Sequence, residues 1–98
     1  MESPVIEVTD APEMSRYEAR IDGELAGILE YVEKRGRLAL SHTEVLPAFE
    51  GRGVASRLAK FGLDEARRRE LGVIVICPFV RSYIERHPEE RDIVKAGL

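Results

Sequence analysis

A chain of 98 residues with 44% hydrophobic and 34% charged side chains has the size and make-up of one soluble globular unit, expected to span 1–98 as a single domain. Its net charge of −3 argues against nucleic-acid binding, and no apolar run approaches the ~20 residues of a membrane helix. The lone Cys77 excludes an internal disulfide, and the acidic N-terminus lacks a signal layout, so the expected location is cytoplasmic.

In chain order, residues 5–9 form a short β-rich segment. Residues 16–21 alternate, with Tyr17, Ala19 and Ile21 on one face and Arg16, Glu18 and Arg20 on the other. Asp22-Gly23 is a hairpin turn. Residues 24–33 carry apolar side chains on both faces, Leu25 and Leu29 against Ile28 and Val32, which predicts a central strand covered on both sides. Gly36 suits a second turn, and residues 37–46 form the next strand, ended by Pro47. Leu38, Leu40, His42, Glu44 and Leu46 then share one face.

From Gly53 the apolar period becomes helical, through Val54, Leu58, Phe61 and Ala66, with Arg67, Arg68 and Arg69 in the last turns and Gly72 as the expected cap. Residues 73–77 read as a buried parallel strand, 79–86 as a short helix, and a further helix starts at Pro88. The expected fold is α+β with a mixed sheet: an antiparallel meander, then one right-handed crossover, in the order β-β-β-β-α-β-α. Charge is uneven: residues 1–50 hold 11 acidic and 5 basic side chains, residues 51–98 hold 7 acidic and 10 basic.

The turn at 47–53 opens a helix, and a helix start leaves backbone N–H groups unpaired and partly positive. Such a turn serves either as a plain connector or as a phosphate seat. Gly51, Gly53 and Ala55 permit close approach, Arg52 brings a planar cation, and Ser56 a hydroxyl. The spacing is neither a Walker loop nor a dinucleotide fingerprint.

The stretch Glu50-Gly51-Arg52-Gly53-Val54-Ala55 resembles the acyl-CoA signature R/Q-x-x-G-x-G/A of the GCN5-related N-acetyltransferases, placed after the fourth strand and at a helix start as in that family. The chain is similar to the very small members of the superfamily through "HTEV" (42–45), "FEGRGVASRL" (49–58), "CPFV" (77–80), Tyr83 and "HPE" (87–89). The match covers about residues 5–94. Two departures stand out. Glu50 replaces the usual Arg or Gln and should turn away from a diphosphate, with Arg52 supplying the charge. The helices that larger relatives insert between the first two strands are missing, so the acceptor is not implied.

The resemblance implies acetyl-CoA (coenzyme A) as co-substrate, its pyrophosphate on the N–H groups of Gly51, Arg52, Gly53, Val54, Ala55 and Ser56. Pantetheine would add between the strand ending near Leu46 and residues 73–77. A backbone N–H at Val45 or Leu46 would bind the thioester oxygen, and Tyr83 would protonate the departing thiolate. Tyr83 also reads as a packed ring with a wet hydroxyl. His42, roughly 7 Å along the strand from Glu44, is either an amine base assisted by Glu44 or a histidine bonded at the sheet rim. Cys77 is either a small buried hydrophobe or, as in the small subfamily, an acyl acceptor. Phe79 reads as core or as a wall of the pantetheine slot. His42, Cys77 and His87 share no metal-ligand spacing, so no metal is expected.

Two functions follow. One is an N-acyltransferase moving acetyl to an amine, on a small molecule or a protein lysine, either directly or by way of an acyl-cysteine. The other is a non-catalytic CoA-binding or protein-interaction module of the same fold. No nucleic-acid or membrane partner is expected, and the chain is expected to be a monomer or weak dimer.

Overall fold

The computed structural model describes residues 5–96; residues 1–4 and 97–98, the ends of the expected 1–98 unit, lie outside the described residues. One six-stranded sheet runs in chain order. Strands β1 (Ile6–Ala11), β2 (Arg16–Ile21), β3 (Glu24–Lys34) and β4 (Arg37–Val45) form an antiparallel meander. Helix α1 (Val54–Arg68) crosses over to β5 (Gly72–Val75), parallel to β4. Helix α2 (Pro78–Arg86) and a 3-10 stretch, Pro88–Ile93, lead to a sixth strand, β6 (Val94–Ala96), parallel to β5. That last strand replaces part of the final helix expected from sequence. Three residues of pairing leave no period to read.

The two tight hairpins need a left-handed backbone at both turn positions, and Asp22-Gly23 (φ 51° and 81°) and Arg35-Gly36 (φ 53° and 76°) supply it. The α1 terminus departs from expectation. Glu70, at φ 57°, takes the left-handed position, with Leu71 N–H bonded to the Ala66 carbonyl at 2.8 Å and Glu70 N–H to that of Arg67 at 3.2 Å. That is a Schellman closure made without glycine. Gly72 is needed for a different reason. A Cβ there would sit 2.6 Å from Lys95 Cγ and 3.1 Å from Arg37 Cδ, so the bare backbone leaves room for these two side chains.

Both helices lie on one face of the sheet. Their buried residues, among them Val54, Leu58, Leu63, Val80 and Ile84, join one core with Tyr17, Leu29, Leu38, Leu40, Val73 and Val75. Two successive right-handed crossovers in the same direction across the sheet must put their helices on the same side. The expected second cover is therefore absent among the described residues: Ile28 is half-buried and Val32 is 57% exposed. Tyr17 anchors the helix side, with its ring 4.6 Å from Tyr31 and 5.2 Å from Phe61. Burial pushes the Tyr17 and Tyr31 phenols well above their ordinary range, and the Tyr31 hydroxyl donates to Asp10 at 2.6 Å.

On the open face Glu18 takes both Arg16 and Arg20, at 2.8 and 3.0 Å. Hydrogen bonds from Arg16, ahead of those from Arg20, hold its carboxyl below the usual carboxylate range. On the helix side the buried Glu90 carboxylate receives Lys60 and Arg67, tying the 3-10 stretch to α1.

Candidate functional site

Two irregularities in the sheet build the site. Glu30 pairs with His42 and Tyr31 with Leu40, so Ser41 is an extra residue, a bulge in β4. One inserted residue reverses every side chain beyond it. Leu38 and Leu40 face the helices, but Thr43 and Val45 take over that face, opposite Leu29 and Gly27. His42 and Glu44 therefore turn to the open face, which corrects the expectation that they share a face with Leu38 and Leu40. They do lie side by side, with Nε2 and Oε2 3.9 Å apart and both side chains more than half exposed.

The second irregularity is the parting of β4 from β5. Their pairing stops at Leu40 and Val75, where Ile76 N–H and Cys77 N–H both donate to the Leu40 carbonyl at 3.0 Å. Strand β5 thus ends earlier than the expected 73–77, while β4 runs on five residues with one edge unpaired. Into this gap come Thr43 from β4 and Cys77 from the start of α2, with Oγ1 and Sγ 3.1 Å apart. Cys77 is buried. The structure brings Thr43, rather than His42, to the cysteine.

Strand alternation also sorts the two expected N–H donors. Leu46 N–H is bonded to the Ala26 carbonyl at 2.9 Å, so it is not free for a ligand. Ala26 is itself the extra residue of a bulge between β2 and β3, which lets its carbonyl reach Leu46. Because neighbouring residues of a strand point their N–H groups to opposite edges, Val45 N–H faces the gap.

The gap opens into a cleft of about 270 Å³ at the start of α1, lined by Val45, Phe49, Glu50, Gly51, Gly53, Val54, Ala55, Ser56, Phe79 and Arg86. Gly51 and Gly53 stand at φ 78° and 80°, the left-handed region, where other side chains are strained. Gly53 caps α1 with no side-chain hydrogen bond. The N–H groups of Val54, Ala55 and Ser56 belong to the first turn and have no intrahelical acceptor. A Cβ on Gly51 or Gly53 would meet nothing within 4 Å. The cradle is open space rather than tight packing. Its donors, its bare backbone and its neighbouring cation fit a diphosphate.

The cation in the cleft lining is not Arg52. The Arg52 guanidinium lies 5.6 Å from the centre of the Phe49 ring, and Arg52 does not line the cleft. Arg86 does, with its guanidinium 5.9 Å from the Phe79 ring. Phe79 and Arg86 are seven residues apart, two turns along one side of α2, and that spacing was the available signal. Glu50 also borders the cleft and is exposed.

Tyr83 sits on the same helix, one turn from both Phe79 and Arg86, in the core and not among the residues that line the cleft. It is 6% exposed and stacks on His87, ring centres 4.3 Å apart. Burial first, and then the Glu90 charge, raises its phenol above the ordinary value, so it keeps its proton at neutral pH. Among the described residues no group of His, Cys, Asp and Glu is arranged to hold a metal, and no helix is long and apolar enough to cross a membrane.

The family profile described as GCN5-related N-acetyl-transferase matches residues 16–93. Protein NATD1 of Homo sapiens is 39% identical over 61 residues, which cover 62% of this chain and 53% of that protein. Protein NATD1 of Xenopus tropicalis is 38% identical over 61 residues, covering 62% and 55%. The chain thus spans about half the length of the curated relatives it matches. The solution structure of a GCN5-like protein from Staphylococcus aureus superimposes with a TM-score of 0.70 at 21% identity, covering 94% of this chain and 89% of that one. The crystal structure of nourseothricin acetyltransferase gives 0.51 at 21% identity, covering 89% and 67%. Those two likenesses concern the fold: the same kind of mixed sheet. The profile runs from the first residue of β2 to the last of the 3-10 stretch, through the parted strands and the glycine cradle, and the chain belongs to the GCN5-related N-acetyltransferase family.

Proposed function

We propose that this protein is an acyl-CoA-dependent N-acyltransferase that moves an acetyl group from acetyl-CoA to an amine. The observation that carries the reading is the continuity between an uncapped, glycine-lined helix start and a gap where β4 has an unpaired edge. The amides of residues 51–56 would hold the diphosphate, with Arg86 beside it and Arg52 at the outer rim. Val45 and Phe79 would wall the pantetheine, whose amides would bond the free edge of β4 as an added strand does.

Acetyl-CoA supplies the acyl group as a thioester. The Val45 N–H is the donor for the oxygen that gains charge as the amine attacks. Tyr83 holds the proton that the leaving sulfur takes. His42, assisted by Glu44 on the same open face of β4, accepts the proton that the amine loses, directly or through water. Cys77 serves as a wall of the gap, and the acyl-cysteine route is the second reading, resting on the place of Cys77 beside Thr43 where β4 and β5 part.

The test is calorimetric titration with acetyl-CoA, followed by thiol release across an amine panel. Binding plus release that drops in Tyr83→Phe supports the enzyme. Binding with no release in any arm supports the CoA-binding module instead. No binding at all overturns both. Mass spectrometry after incubation with acetyl-CoA alone reads the second route as an acetyl group on Cys77.

A further inference from the structure

A second cleft, about 200 Å³, lies on the open face of the sheet and is lined by Arg16, Leu25, Gly27, Ile28, Glu44 and Leu46. It backs onto the donor cleft across the end of β4: Val45 lines one, Glu44 and Leu46 line the other. Nothing in the donor reading uses it. We infer that this cleft seats the acceptor, and that the acceptor is an alkylammonium, a primary amine on an unbranched chain of several carbons. The catalytic meaning of this site rests on the acyl-transfer reading; its ligand chemistry does not.

Three observations select that class. Leu25, Ile28 and Leu46 give the cleft an apolar wall, and an aliphatic chain gains by covering it. Glu44 gives it a carboxylate whose one ion-pair partner among the described residues is His42, at 3.9 Å and charged only when protonated. Glu30, beside His42 on the next strand, has no ion pair among the described residues. The one cation in the lining, Arg16, is held at 2.8 Å by Glu18, which it shares with Arg20, on the β2 side of the cleft, away from Glu44's partner His42 on β4. The site is thus negative at one end and apolar along its side, and an ammonium with a chain matches both. A carboxylate-bearing or purely aromatic ligand does not. At Glu44 the ammonium lies beside His42 and one residue from Val45, so losing its proton there makes it a nucleophile next to the gap. Lysine side chains and free aliphatic amines share this chemistry.

The proposal is tested by amide chemical-shift titration of the whole labelled chain without acetyl-CoA. The probes are methylamine, butylamine, hexylamine, hexanol, hexanoate and a lysine blocked at both backbone ends. Hexylamine should shift the amides of Leu25, Ile28, Glu44 and Leu46 and bind at least about tenfold more tightly than methylamine, since each covered methylene is worth up to about fourfold. Glu44→Gln should weaken hexylamine about threefold and leave hexanol unchanged. Leu46→Ser should flatten the dependence on chain length. Blocked lysine binding as well as butylamine points to a protein acceptor; weaker binding points to a free amine. Hexanoate binding as tightly as hexylamine, no chain-length dependence, or shifts confined to other residues each overturn the proposal. Because acetyl-CoA is absent throughout, a failed coenzyme titration sinks the acyl-transfer reading without deciding this result, and the reverse holds as well.

Discussion

Arg86 and Arg52 both lie near the glycine cradle, each over an aromatic ring, but only Arg86 is in the cleft lining. Arg86 borders the cleft; Arg52 is engaged on the face of Phe49. Arg86→Ala should lower coenzyme A affinity about tenfold, the worth of one charge-assisted contact, while Arg52→Ala should change it less than about threefold. Calorimetric titration at two salt concentrations checks this, because the Arg86 contribution should shrink as salt rises. Tyr83 gives a second residue-level test. Its phenol is raised by burial and by Glu90, so it is protonated through neutral pH. Tyr83→Phe should slow thiol release by about 100-fold with coenzyme affinity little changed, and steady-state rates with a binding isotherm on the same variant check the split.

Within the elements, the least yielding constraint is at Gly27. A Cβ there would stand 2.9 Å from both the Glu44 carbonyl and Val54 Cγ1, a backbone atom on one side and a core side chain on the other. Gly27→Ala should cost about 1–3 kcal/mol, read as a lowered melting temperature. Gly72→Ala should cost less, since its nearest obstacle is the flexible side chain of Lys95. On the open face, Glu18 titrates below the normal range because Arg16 and Arg20 favour its charged form. A carboxyl depressed in the folded state stabilises above its unfolded value, and that contribution is lost as pH falls through the lowered one. Glu18→Gln should therefore flatten the acid limb of a stability-against-pH curve while reducing stability at neutral pH. The bulge at Ser41 explains why β4 was only half legible. Its alternation reads cleanly up to Leu40, and nothing in "LSHTEV" announces an extra residue, since bulges arise from pairing with another strand.

For the whole molecule, ligand binding and folding are linked. If the cradle holds acetyl-CoA, a concentration about 100 times its Kd should add about 2.7 kcal/mol to stability, a rise on the order of 10 °C in melting temperature for a chain of this size. Gly53→Glu places a carboxylate in the seat and should abolish that rise, along with a small loss of intrinsic stability from its left-handed backbone. A thermal melt of both proteins with and without acetyl-CoA checks it, and an unchanged melting temperature in the parent protein would falsify the seat.

The glycine turn, the meander with its hairpins and the crossover to a buried strand were readable in the residues themselves. Each is a local matter: backbone freedom at Gly51 and Gly53, turn chemistry at Asp22-Gly23, and apolar period in α1 and β5. The same residues carry the family resemblance. Tertiary structure alone decided which side chains meet. The Ser41 bulge gave Thr43 to Cys77 and sent His42 and Glu44 to the other face. Helix packing put Arg86 in the cleft lining, and both crossovers took one side of the sheet, leaving the other open among the described residues. Those outcomes depend on register and crossover hand, which belong to pairs of elements, and a pattern written along one strand or one helix holds no record of its neighbour's.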